Sequence, residues 1–459
     1  MPRFDRNPPE ERPGAPRVSF FTLGCRLNQH DTAAMRSDLA RAGWSAPERG
    51  AAAEADVAVV NTCTVTRRAD QESRQLIRKI AREAPGVRIV VTGCYAQRAP
   101  EELRGLPGVA LVLGTAERER IAEWLPAGDA AAAPAAAARA GSAGIAVSPG
   151  RARRTALPAD AAPLRYRRAR ALLKIQDGCD SFCAYCIVPY VRGRGRSRPA
   201  ADVFDQARRL LDAGFLELVL TGADLGSYAT EEGGPSALVS LIEGILDLGG
   251  AHRVRISSIE PNKVPDGLLE LIGTEPRLCR HLHLPLQSGS PAVLRAMRRG
   301  YLPGDYARLV ERAARRGPVG IGADVIVGHP GEGDAEFEET RAFLRSLPIT
   351  YLHVFRYSAR PGTRAERDSG AATEAVARRR SERLRALGAE KRRRFHESLV
   401  GGRLRCVVEN RSAATGEPIG TSDVYAPVRV EGALPESPMF DVEIRSCDGE
   451  GLAGPPARG

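Results

Sequence analysis

The chain has 459 residues and a formal net charge of +11, with 67 Lys and Arg against 56 Asp and Glu. The length points to about three domains. No apolar run approaches the ~20 residues that a membrane-spanning helix needs, which excludes that class. The apolar content of 43% is ordinary for a soluble globular protein. The basic excess reads either as a solvated, arginine-rich surface or as the footprint of a polyanionic partner such as nucleic acid.

Residues 1–15 are rich in proline and charge and lack an apolar stretch, so they read as a disordered tail and not as a secretory signal. A cytoplasmic location follows, with nine cysteines kept reduced and available to metals. Residues 16–126 form the first domain. Val18 to Leu23 is a strand-like run ended by Gly24-Cys25. Asp31 is placed to cap a helix carrying Met35 and Leu39 on one face and closed by Gly43. The pattern repeats with Val57 to Val60, then Asn61-Thr62-Cys63 and a helical stretch from Arg68 to Glu83, and again with Ile89 to Val91 before Thr92-Gly93-Cys94. Strands alternating with helices predict an α/β fold with an open parallel sheet. Cys25, Cys63 and Cys94 each lie just past the carboxyl end of a strand, the edge where such sheets bind ligands. They either converge there or are three separate core cysteines.

Residues 127–164 read as a flexible linker. Ala127 to Gly150 is an alanine, glycine and proline tract, with a partial alanine helix as the alternative, and Arg151 to Arg170 holds seven arginines and one acid. That run is a solvated stretch or an RNA-backbone contact.

Residues 165–399 carry six strand-like runs: Ala171 to Gln176, Leu216 to Thr221, Arg253 to Ile259, His281 to Leu286, Gly320 to Val327 and Tyr351 to Tyr357. Helical patterns separate them, so a partial (β/α)6 barrel is expected, with chemistry at the carboxyl ends of its strands. After the first run, Cys179, Cys183 and Cys186 fall within eight residues, with Gly178 at the turn. Such a loop can wrap three thiolates around one soft metal centre. Three ligands are too few for a closed zinc site. A zinc knuckle completed from a distance, buried inert thiols and a disulfide are the alternatives. Arg192, Arg194, Arg196 and Arg198 follow, alternating with small residues, and their planar forks suit phosphate. His281 and His283 alternate on one strand face and read as ordinary core or rim histidines.

Glu374 to Val400 is a long basic helix with Leu384, Leu387, Phe395 and Leu399 facing the core. In residues 400–452 the runs Arg403 to Glu409, Tyr425 to Glu431 and Met439 to Arg445 alternate in polarity between Gly- and Pro-containing turns, which predicts a small β-barrel. Such barrels often bind looped RNA. Cys279, Cys406 and Cys447 lack ligand spacing and carry no assigned role.

The loop Cys179 to Cys186, with Tyr185 before its last cysteine, is similar to the signature of radical S-adenosylmethionine (SAM) enzymes. Together with Thr22-Leu23-Gly24-Cys25, Asn61-Thr62-Cys63 and Thr92-Gly93-Cys94, the chain from about Val18 to Ile444 resembles the radical SAM methylthiotransferases. The resemblance implies two 4Fe-4S clusters, each with one open iron. Cys179, Cys183 and Cys186 would hold the SAM-binding cluster, and Cys25, Cys63 and Cys94 an auxiliary cluster that handles the inserted sulfur. Tyr185, Thr221, Gly222, Ala223, Ser258, Glu260, Gln287 and Asp324 would line the SAM pocket. SAM cleavage would give a 5′-deoxyadenosyl radical that takes hydrogen from C2 of an adenine, and a second SAM would supply the methyl group. Residues 400–452 resemble the TRAM module. The partners implied are the anticodon loop of tRNA, contacted by Arg192, Arg194, Arg196 and Arg198, and an electron donor such as flavodoxin or ferredoxin. The segment Thr22 to Gln29 is most similar to the branch that modifies N6-threonylcarbamoyladenosine at position 37, although that branch usually has Lys-Val where this chain has Arg26-Leu27. The family usually has a proline near position 195, here Gly195. The rival readings are the N6-isopentenyladenosine branch, the branch acting on an aspartate of a ribosomal protein, and a non-catalytic iron–sulfur RNA-binding protein.

Overall fold

The computed structural model describes residues 14–47, 50–127, 144–148, 169–229, 234–412, 416–449 and 451–457. The expected tail up to residue 13, most of the linker and the arginine run before residue 169 lie outside the described residues.

The first domain is a parallel sheet in the order β1 (Val18–Thr22), β2 (Val57–Thr62), β3 (Arg88–Gly93), β4 (Val109–Leu113), β5 (Gly144–Ala146). Its central strands are buried on both sides, which is why they read as continuous apolar runs. Helix α1 (Arg26–Arg41) packs Met35 and Leu39 against Val18, Val57 and Val59 on one face. Helix α2 (Arg67–Glu83) starts at Thr66, whose side chain accepts from Ala69 N, and buries Ile77 and Ile80 on the other face.

Two expectations change here. Residues 144–146, assigned to the linker, form the fifth strand and pair with Leu111–Leu113, because a parallel edge needs only a short apolar segment to cover it. Asp31 does not cap α1. Cys25 holds the N-cap position, and Asp31 lies more than one turn inside the helix, buried.

The six expected strands of the central domain are all present: β6 (Arg170–Lys174), β9 (Glu217–Thr221), β10 (Arg253–Ile256), β11 (His281–His283), β12 (Gly320–Val327) and β13 (Tyr351–Arg356). They form two parallel three-stranded sheets, β6-β9-β10 and β11-β12-β13, joined through the parallel bridges Val254 to Leu278 and Ser258 to His283. The result is one curved sheet of six strands. Alternate residues such as Leu218, Leu220, Leu282, Ile321, Ala323 and Val325 build a core with the helices. A short antiparallel pair, β7 (Gln176–Asp177) with β8 (Arg196–Ser197), closes the cysteine loop at its base.

The helix Glu374–Leu399 lies on β13 and leads to a six-stranded sheet in the order β17 (Met439–Glu443), β14 (Arg403–Arg411), β15 (Pro418–Ser422), β16 (Pro427–Val430), β19 (Leu452–Gly454), β18 (Ser446–Cys447). This sheet curls until Glu443 N reaches Pro455 O and Ala457 N reaches Asp441 O, both at 3.0 Å or less, so it runs past the expected boundary at residue 452. Buried arginines dock it on the central domain. Arg253 donates to Arg405 O and Thr421 O, and Arg255 to Ser422 O and Asp423 O. Both are paired with the fully buried Glu217. Among the described residues no helix is long and apolar enough to cross a membrane.

Candidate metal centres and active site

Cys25, Cys63 and Cys94 do meet at the carboxyl edge of the first sheet. They follow neighbouring strands β1, β2 and β3, and the thiols of Cys25 and Cys94 both act electrostatically on Cys63. Three asparagine and glycine devices hold the loops. Asn28 donates to Leu23 O at 2.8 Å and to Thr62 O at 3.0 Å. Asn61 donates to Asn28 O at 2.9 Å. Gly24 has φ +96°, and a Cβ there would lie 2.6 Å from Cys63 Cβ and 2.8 Å from its Sγ. Burial, reinforced by the neighbouring Cys94, pushes the Cys63 thiol up to about 12, and burial also raises Cys94. Such thiols ionise when a metal takes the proton's place.

The second set is local. Gly178, at φ +73°, turns the chain, and a Cβ there would run into the carbonyls of Gly193 and Arg194. Cys179 N bonds Gly193 O, Cys186 N bonds Cys183 O at 3.0 Å, and Ser181 N points at Cys179 Sγ at 3.4 Å. Phe182 sits at φ +44°, a strained value for an aromatic residue. Burial lifts Cys179 to about 11, with Asp224 adding to it, and Cys186 to about 12. In both places three free thiols lie within electrostatic reach of one another, which fits a cluster that leaves one metal position open.

The two sets are neighbours. Cys94 packs on Ile187 and Val191, the residues that follow Cys186. Between them runs a buried ion network. Lys174 on β6 donates to Asp31 at 2.7 Å and to Asp177 at 3.3 Å. Arg192 reaches Asp177 at 2.9 Å, Asn28 at 2.7 Å and Asp31 at 3.0 Å, and Arg118 pairs with Asp31 at 2.7 Å. Burial alone would raise Asp31 and Asp177, yet the surrounding cations hold both below the ordinary carboxylate range. Three cations face two carboxylates, and Arg192 and Arg118 also act on Cys94, so the excess positive charge is set against the thiolate side.

This network corrects the expectation for the arginine run. Arg192 is 6% exposed and Arg198 1% exposed, Arg198 being bonded to Gln206, and Arg196 pairs with Glu119 in a largely buried position. They brace the cysteine loop, because guanidinium groups with five donors satisfy several buried acceptors at once. Arg194 alone of the four is mostly exposed, and it pairs with Asp180.

Around the loop, Thr221, Gly222 and Ala223 end β9 beside Gln176, whose Oε1 accepts from Asp224 N. Ser258 and Glu260 follow β10. Gln287 and Asp324 are joined by Gln287 N to Asp324 O at 2.7 Å. Tyr185 packs its edge on His329. Sequence reasoning missed Arg299, which donates to Cys183 Sγ at 3.1 Å and to Tyr185 at 3.4 Å and is paired with Glu260. It also missed Asp224, beside Cys179 and held by Lys263. Arg299 stands in an Arg-Arg-Gly run that resembles any surface turn, so its local sequence carries no signal. His281 and His283 are core histidines, as expected. Both are buried, and His283 has partners in Asp324 and Tyr351.

Residues 17–114 match the model of the uncharacterized protein family UPF0004, and residues 173–344 that of the radical SAM superfamily. A threonylcarbamoyladenosine tRNA methylthiotransferase, MtaB, of Bacillus subtilis is 37% identical over 90% of this chain and 90% of its own. A tRNA-2-methylthio-N(6)-dimethylallyladenosine synthase of Cereibacter sphaeroides is 35% identical over 94% of this chain and 97% of its own. In fold, the chain is similar to TsrM, a radical S-adenosylmethionine methyltransferase of Kitasatospora setae, with TM-score 0.52 and 18% identity over 74% of this chain and 72% of that one. With such identity along nearly its whole length, the chain belongs to the radical SAM methylthiotransferase family.

Proposed function

We propose that this enzyme places a methylthio group on C2 of N6-threonylcarbamoyladenosine at position 37 of tRNA. SAM and two 4Fe-4S clusters are its cofactors, and together they supply a carbon-centred radical and a sulfur-handling iron. The chain's own residues do the rest. Cys179, Cys183 and Cys186 offer one set of thiolates, and Cys25, Cys63 and Cys94 the other. The Arg192 network fixes one against the other. Thr221 to Ala223, Ser258, Glu260, Gln287, Asp324 and Tyr185 surround the place where SAM would lie. The C-terminal barrel, with the exposed arginines of the helix Glu374–Leu399, is the proposed RNA-binding module. A low-potential protein such as flavodoxin or ferredoxin is the proposed electron donor.

One observation carries the choice of branch. Arg26, at the start of α1 beside Cys25, brings a cation to the polar inner face of the central barrel, where His281, Tyr351, His283 and Asp324 lie. Such a polar wall edged by a guanidinium suits a carboxylate-bearing side chain better than an isoprenoid one. The rival reading, N6-isopentenyladenosine, is favoured by the greater length of this chain covered by the dimethylallyladenosine synthases. Mass spectrometry of nucleosides from bulk tRNA, with and without this gene, separates the two. Loss of the 2-methylthio-threonylcarbamoyl nucleoside supports the proposal, and loss of the isopentenyl form overturns it.

A further inference from the structure

The inner face of the central barrel, continued by Tyr425 from the turn between β15 and β16 of the C-terminal sheet, carries a ladder of rings that the metal sites do not use. Its rungs are Tyr425, His281, Tyr351, His283 and His353, with successive centroids 4.6, 6.1, 5.9 and 5.1 Å apart. The Tyr351 hydroxyl lies 2.8 Å from His281 Nε2 and 3.1 Å from His283 Nδ1. Asp324 Oδ1 lies 2.9 Å from His283 Nε2 and 3.2 Å from His353 Nδ1. Arg26, the residue after Cys25, comes from the far end of the chain and donates to the Tyr425 hydroxyl at 2.7 Å.

Three observations point to a ligand here. Among the described residues, no carboxylate lies within ion-pair distance of Arg26, whose guanidinium has a neutral phenol for a partner. His281 Nδ1 is buried without a hydrogen-bond partner, although the residue is only 2% exposed. Tyr425 has φ +68°, a conformation that a long side chain keeps only where the surroundings hold it. Cation, orphaned ring nitrogen and held tyrosine all belong to one corner.

We propose that Arg26, Tyr425 and His281 form the site that binds the carboxylate of the target nucleoside's N6 side chain, with Tyr351 and His353 as the adjoining stacking wall. The proposal rests on the function proposed above and deepens it. On adenine, C2 and the N6 substituent share the Watson–Crick edge. A base presented with its C2 to the Cys25 site would carry its N6 side chain on the same edge, near enough for a residue beside Cys25 such as Arg26 to reach it. A planar guanidinium binds a carboxylate through two parallel hydrogen bonds, and aromatic rings accept a base face. The competing reading is a divalent ion on His283, Asp324 and His353, whose ligand atoms all lie within 4.8 Å of one another. Asp324 already accepts from both rings, and the orphaned His281 Nδ1 lies outside that triad, so the carboxylate reading uses more of what is present.

The test is binding, not turnover. Anticodon stem-loops carrying threonylcarbamoyladenosine, isopentenyladenosine or plain adenosine at position 37 are titrated into the full chain with both clusters reconstituted. The wild type should prefer the threonylcarbamoyl form. Arg26→Gln should lose that preference by roughly tenfold or more, with affinity for plain adenosine and iron content unchanged. Arg26→Lys should keep part of it, and Tyr425→Phe, which retains the ring, should lose less than Arg26→Gln. An Arg26→Gln preference equal to wild type, or an equal fall for all three RNAs, overturns the inference alone. A wild type with no threonylcarbamoyl preference overturns the proposed function together with it. A stoichiometric divalent ion beyond the cluster iron, removed by Asp324→Asn, replaces the carboxylate site with a metal site.

Discussion

The two cysteine sites solve one chemical problem in opposite ways. Cys179, Cys183 and Cys186 are brought together by eight residues of chain, a glycine turn and hydrogen bonds from neighbouring backbone. Cys25, Cys63 and Cys94 are brought together only when three strands pair in register and Asn28 and Asn61 tie their ends. The first site is local and carries its geometry with it. The second is as stable as the sheet that makes it. Each fault in the sheet is therefore a fault in the second site first.

The sharpest way to break the comparison is Gly24→Ala. The new methyl group collides with Cys63 and adopts a left-handed backbone, so the variant should lose about half of its iron while still cleaving SAM, as read by iron analysis and 5′-deoxyadenosine release. Retention of all the iron would show that the loops adapt and that the second site is less dependent on its sheet.

Arg192→Gln should harm both sites, because Arg192 belongs to the local loop yet pairs with Asp31 of the sheet domain. Removing one partner from a buried network costs about 3–5 kcal/mol, and the urea midpoint should fall accordingly. The same substitution at the exposed Arg194 should move stability within about 1 kcal/mol, the least of these effects.

Between these lies Glu217→Gln, remote from both sites, which tests the docking of the C-terminal barrel. Burial would raise Glu217, but Arg255 and Arg253 hold it below the usual carboxylate range. Its folded-state value is thus depressed. Its stabilisation is complete above the unfolded value, about 4.3, and is lost as pH falls through the lower folded value. Glu217→Gln should cost about 3 kcal/mol at pH 7, less than the charge loss alone because glutamine keeps some hydrogen bonds, and should flatten the loss of stability below about pH 4. Urea unfolding at a series of pH values measures both.

The alternation of apolar runs with turn residues was enough to place the first three strands, the six barrel strands and the long helix, since burial of one face per element is a local pattern. The loop Cys179 to Cys186 was equally legible, because its ligands are neighbours in sequence. Tertiary structure decided what charge does. Arg192 and Arg198 read as phosphate contacts in a glycine-rich run, and Asp31 as a helix cap. Only the packing of two domains shows that the arginines and Asp31 are buried and that Arg192 pairs with Asp31. The same holds for β5, Arg299 and the Arg26 to Tyr425 contact, which joins residues 399 positions apart. Hydrophobic periodicity is written along the chain, but the partner of a charge is chosen in space.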